Sequence, residues 1–186
     1  MYWYDSYNKE KNQLSLYYLF LSSEKKLSDA DFALFEELGE SVKGFSEMKE
    51  DIIEECEKLL VPSNGSKSRF EIVTEAFSSY KTSGGTADTR DYSILWALVS
   101  MQYRKEIKSN KKQQLIELWA EAKRIDKSVV IEMCDTCETQ NATTEYRTWL
   151  ETNKSLTYME VNSFIQELDK NLKSMQQSVS DLIALG

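Results

Sequence analysis

The sequence predicts an all-α protein of about nine helices, and three observations carry that prediction. There is one proline, Pro62, and only six glycines in 186 residues, so few positions can interrupt a helix. Good helix formers (Glu, Lys, Leu, Gln and Ala) are abundant. Apolar residues recur at i, i+3, i+4 and i+7 in segment after segment. A chain of this length can bury roughly 70% of its unfolded surface, so it needs no disulfide or metal staple.

The first helix is expected from Asp5 or Ser6 to Ser22. Leu14, Tyr17, Tyr18 and Leu21 form its stripe, and Leu16, Leu19 and Phe20 extend it nearly all round, the mark of a helix buried on several sides. Tyr2, Trp3, Tyr4 and Tyr7 precede it and either pack onto the body or form a contact patch, with packing favoured. Ser28 begins a second helix, with Asp31 in capping-box placement and Asp29 complementing the dipole. Its apolar face is Phe32, Phe35, Leu38 and Val42. Gly39 offers a close helix contact, and Gly44 suits a left-handed C-cap. Ser46 is read as the cap of a third helix with Met48, Ile52, Ile53, Cys56, Leu59 and Leu60 inward, ended by Pro62.

A fourth helix follows at 69–81 with Phe70, Val73, Ala76, Phe77 and Tyr80 on one face. Residues 82–89, with Gly84 and Gly85, read as a linker. The fifth helix runs from about Asp88 to Tyr103, and Ser109 or Asn110 caps a sixth that carries Leu115, Ile116, Leu118, Trp119 and Ala122. A seventh is expected at 127–138 and a short eighth at 144–151. Thr157 and Glu160 form a second capping box, with Leu156 and Val161 as a hydrophobic staple. The ninth helix then reaches about Ala184. Its stripe of Val161, Phe164, Ile165, Leu168, Leu172, Met175, Val179, Leu182 and Ile183 suits either a brace for the whole chain, the favoured reading, or a homodimer seam.

Residues 14–60 and 94–140 read as two copies of one helical unit. An offset of 80, then 81, pairs Leu14 with Ile94, Leu19 with Val99, Phe35 with Ile116, Gly39 with Ala120, Ile52 with Met133 and Cys56 with Cys137. The chain therefore divides into a first unit (1–81), the linker (82–89) and a second unit with a long C-terminal helix (90–186), which together can form one globule. In YYLFLSS followed by KLSDADFALFEELGE, an apolar helix, a turn and an acidic helix start, the unit resembles the tellurite-resistance TerB-like helical family. The resemblance implies a fold of duplicated TerB-like units. The turns here read Ser22-Ser23-Glu24 and Gln102-Tyr103-Arg104, without the acidic residues through which that family is associated with metal.

Composition excludes several functions. The net charge is −8, which disfavours a nucleic-acid-binding surface and favours basic partners or cations. With no histidine, no Ser–His or Cys–His nucleophile can be built. Three cysteines suit a reducing cytoplasm better than a disulfide framework. The N-terminal segment lacks the pattern of a signal peptide, and no apolar run is long enough to span a bilayer, so a cytoplasmic protein is expected. Cys134 and Cys137 form a lone CxxC whose place on an apolar face indicates core packing. No Walker A loop, dinucleotide fingerprint or nucleophile elbow is present, so neither a cofactor nor catalytic residues are assigned.

The strongest functional signal is the asymmetry of charge between the copies. Residues 24–60 hold twelve acids and five lysines, against seven acids and eight Lys or Arg in 104–140. Apart from a merely solvated surface, the first unit can present an acidic face to a basic protein, as an immunity- or inhibitor-type protein would, with Glu36, Glu40, Glu47, Glu50, Glu54 and Glu57 as its candidate residues. The alternative is a TerB-like, divalent-cation-binding stress-response protein, with Glu24, Asp29 and Asp31 as candidate ligands, although no EF-hand-type loop is present. An enzyme using carboxylates alone is a third class, for which no particular pair stands out.

Overall fold

A computed structural model describes residues 8–61, 67–80, 86–104, 109–153 and 157–186. The fold is organised around α1, Lys9–Ser22, whose residues Leu14, Leu16, Leu19 and Phe20 are completely buried. Apolar side chains on nearly every side require neighbours on nearly every side. They are supplied by α2 (Asp29–Gly39), α3 (Phe45–Leu60), α4 (Arg69–Ser78) and α5 (Thr89–Arg104), all of which pack on α1. The second half adds α6 (Asn110–Lys123), α7 (Lys127–Thr152) and α8 (Tyr158–Ile183). There α5 packs on α6 and α7, as α1 packs on α2 and α3. Side chains of both halves join one apolar core. Phe77 of α4 and Tyr80 in the turn after it meet Trp119 of α6 edge-on, at ring-centroid distances of 6.4 and 5.7 Å.

The caps follow from local sequence. Ser28 and Ser68 each accept from the backbone N–H three residues on and receive Asp31 and Glu71 in return, completing two capping boxes. Gly39 is buried where the Phe45 ring crosses α2, and an added Cβ would lie 2.3 Å from that ring. Gly44 has φ 77°, in the left-handed region, but it does not end α2, which stops at Gly39 with Glu40 as its C-cap.

The structure contains eight helices among the described residues, not nine. The expected breaks between 138 and 144 do not occur, and α7 runs unbroken from Lys127 to Thr152. No Gly or Pro lies in this stretch, and the hydroxyls of Thr139, Thr143, Thr144 and Thr148 each donate to the carbonyl four residues back. Polar residues marked a loop in the sequence, but their side chains bond along the helix instead. Ser46 is not the cap of α3: Gly44 holds that position and leads directly into Phe45. The first helix starts at Lys9, because Asn8 accepts from the Lys11 N–H and caps it there. Helix α4 stops at Ser78, three residues short of its expected end, and Thr89 belongs to α5. The aromatics before residue 8, Pro62, residues 82–85 of the linker and the Glu160 side chain lie outside the described residues.

Helix α8 packs chiefly on α7 and α5, both in the second half, and does not brace the whole chain. It forms an antiparallel hairpin with α7, tied by Arg147, which pairs with Asp169 at 2.8 Å and with Glu151 at 2.9 Å. Between Cys137 and Leu182 no described side chain joins the main core.

Candidate functional site

The acidic face is built on α3. Ile52, Cys56 and Leu60 turn inward, so the opposite side of the helix is set to face solvent. Glu47, Glu50, Asp51 and Glu54 occupy that side at i, i+3, i+4 and i+7, and all four are exposed. Among the described residues no ion pair reaches Glu47, Glu50 or Asp51, nor Glu40 in the preceding turn. Glu54 pairs with Lys58 one turn on, an exposed contact of little energetic weight. Its carboxyl is held below its ordinary pKa by the Lys58 hydrogen bond.

Two other candidates serve the fold. Glu36 binds Lys49, joining α2 to α3, and Lys49 also lies over the Phe32 ring. Glu57 accepts from the Tyr18 hydroxyl at 2.9 Å and pairs with Arg69 at 3.2 Å. Arg69 in turn donates from Nε to the carbonyl of Ser22, at the end of α1. Burial, and then the hydrogen bond to Glu57, raise the Tyr18 pKa far above that of a free phenol. Glu57 therefore links α1, α3 and α4. The sequence placed it on the acidic face because its long-range partners were not visible there.

Glu24, Asp29 and Asp31 do not come together as a ligand set. Glu24 accepts from the Ser109 hydroxyl across the two halves, Asp29 stands exposed in the first turn of α2, and Asp31 is buried in its capping box. No group of three or more His, Cys, Asp or Glu side chains among the described residues could hold a metal ion. Cys56 and Cys137 are buried, Cys134 is half-buried, and none of the three forms a disulfide. Burial pushes Cys56 up to about 12 and Cys137 up to about 11, which opposes thiolate chemistry at neutral pH.

Two open clefts lie elsewhere. One of about 290 Å³ lies between α5, α6 and α7, with Gln102, Gln113, Glu117, Lys127, Cys134 and Asp135 on its walls. The other, about 540 Å³, is bordered by Lys25, Ser28, Asp31, Glu37 and Arg104, and its one buried carboxylate is the capping residue Asp31. No helix among the described residues is long and apolar enough to cross a membrane. No family model matches the chain, and neither a curated protein nor a solved structure matches it.

Sequence reasoning missed the aromatic surface on the α7–α8 hairpin. Tyr146 and Trp149 stack with ring centroids 5.8 Å apart and planes 12° from parallel, and both remain exposed. Their i, i+3 spacing was visible, but it reads equally well as the inward face of a short core helix.

Proposed function

We propose that the protein is a non-enzymatic helical interaction module whose acidic α3 face docks a basic protein. The observation that carries this reading is the strip of Glu47, Glu50, Asp51 and Glu54. Glu47 with Asp51, and Glu50 with Glu54, place like charges one turn apart, an arrangement that costs about 0.2–0.5 kcal/mol per pair within the helix. Among the described residues, only the Lys58 contact and the position of Glu47 near the helix N-terminus offset this cost. A basic partner would offset it and would be steered toward the strip by long-range attraction. An immunity- or inhibitor-type protein is the concrete form of this reading.

A duplicated TerB-like architecture is part of the same proposal. It is supported by the matching contacts of α1 with α2 and α3 and of α5 with α6 and α7, and by the burial of both Cys56 and Cys137 at paired positions. In this reading the two copies keep one apolar frame, and the first has acquired the acidic face.

Affinity capture from cell extract at low salt, with the wild-type chain and the Glu47→Gln/Glu50→Gln/Asp51→Asn/Glu54→Gln variant as parallel baits, tests the docking. A basic protein recovered by the wild type, lost from the variant and eluted by salt supports it. Equal recovery by both baits overturns it.

A further inference from the structure

The outer half of the α7–α8 hairpin has an apolar seam that its own partner helix does not match. On α8, Val161, Ile165, Leu168, Leu172 and Met175 follow alternating steps of four and three, the spacing of a coiled-coil seam. All five are only half-buried. The half-buried positions on the outer part of α7 are polar: Gln140, Asn141, Thr143 and Arg147. Leu150 is the one apolar side chain of that part of α7 to be buried, and it does not join the main core. A two-helix hairpin with one apolar and one largely polar inner face leaves apolar surface uncovered.

Large side chains also stand exposed on the outside of the hairpin. Tyr146, Trp149 and Phe164 are 46%, 53% and 52% exposed, and Tyr158 and Met159 are 82% and 84% exposed. With about 150–250 Å² per large side chain, Tyr146, Trp149 and Phe164 leave on the order of 300 Å² of surface open, while Tyr158 and Met159 lie on other faces of α8 from Phe164. The half-buried α8 seam adds apolar surface to this, within the range of small interfaces.

Charge favours a second copy of this chain as the occupant. Residues 140–173 hold five acids and four bases, close to balance in a chain of net charge −8. Two copies can meet there without bringing their acidic first units together, whereas a basic partner finds no field to attract it. Aromatic residues and Met are also the types enriched in interface cores. A seam that needs an apolar counterpart finds one in another α8, and a two-fold axis satisfies both copies with the same residues.

We propose that two copies of the chain associate through this hairpin, the two α7–α8 pairs forming a four-helix bundle with Trp149, Phe164 and the α8 seam at its centre. The surface is separate from the acidic α3 strip, so the dimer would present two strips to its partners.

Sedimentation equilibrium of the full chain over a wide concentration range tests the proposal. The expected result is a species of twice the 21.6 kDa chain mass, dissociating on dilution. The Trp149→Glu/Phe164→Glu variant should weaken the dimer by about 100-fold or more, since both lie in the core of the interface. Circular dichroism must show the wild-type helix content in that variant. If it does not, Trp149→Ser/Phe164→Ser replaces it, because that pair removes the same apolar contacts without placing charge on the hairpin. Dimer loss in the folded variant supports the proposal. A wild-type chain that stays monomeric at all concentrations overturns it, as does a folded variant that dimerises as well as the wild type. Wild-type monomer that instead binds lipid vesicles through Trp149 also overturns it.

Discussion

Lys112 of α6 donates from Nζ to the carbonyl of Phe20, 2.9 Å away and 92 residues earlier in the chain. The same amine lies 3.4 Å from the Leu21 carbonyl and 5.1 Å from the centre of the Phe20 ring. The last carbonyls of α1 are buried and lack the usual i+4 partner; Phe20 accepts a long backbone bond from Ser23 at 3.5 Å, and this cation, Arg69 and the Ser23 hydroxyl complete the hydrogen bonding. Desolvation lowers the pKa of Lys112, the expected sign for a buried amine. The two halves of the chain are thus joined at the end of their most buried helix.

Lys112→Met keeps most of the side-chain volume and removes the donor. The expected loss is about 1.5–3 kcal/mol, the range for hydrogen bonds to a charged group. At ~2–4 °C per kcal/mol for a chain of this size, differential scanning calorimetry should show a clear drop in Tm. An unchanged Tm would mean that water or Ser23 alone can satisfy these carbonyls.

Glu57 and the α3 strip should respond in opposite directions. Glu57→Gln weakens the link between Tyr18 and Arg69, and its expected cost is about 1–2 kcal/mol in urea unfolding. Glu47→Gln/Glu50→Gln/Asp51→Asn removes like-charge contacts and should leave stability within about 0.5 kcal/mol of the wild type or raise it at low salt.

Gly39→Ala should destabilise the protein by about 1–3 kcal/mol, because the new Cβ would overlap the buried ring of Phe45. That ring packs edge-on against Phe35 with centroids 5.5 Å apart, so it has little room to withdraw. Thermal unfolding of the variant measures the effect.

The thiols give a readout of burial and of pH. With a disulfide-exchange reagent at pH 8, Cys134 should react first, and Cys56 and Cys137 only as the chain unfolds. Folded values of about 12 for Cys56 and about 11 for Cys137 lie above the ordinary 9.0. The native state therefore keeps protons that the unfolded chain has lost. The stability these thiols contribute is fully present below pH 9 and declines as the pH rises toward 11 and then 12. Cys56→Ala/Cys137→Ala should flatten the fall in urea midpoint that begins near pH 9.

Much of the fold was legible because its signals are local. The Ser28–Asp31 capping box, the stripe around Leu14 to Leu21 and the inward face of Ile52, Cys56 and Leu60 all depend on residues a few positions apart. The site was legible only in part. Charge counting found the strip on α3, but the burial and partners of Glu57 depend on Tyr18 and Arg69, 39 and 12 residues away. Helix α7 was divided in two because polarity suggested a loop, whereas in the fold the threonine hydroxyls bond to its backbone. The apolar hairpin was hidden because a stripe on α8 does not reveal that the face of α7 opposite it is polar.

The most direct test of the acidic docking face is a calorimetric titration of the captured basic partner against the wild-type chain and the four-site α3 variant, at several salt concentrations. The account predicts wild-type affinity that falls at least about tenfold between about 0.05 and about 0.5 M salt, and a variant that binds at least about tenfold more weakly with a flatter salt dependence. Equal affinity and equal salt dependence of the two chains would contradict it.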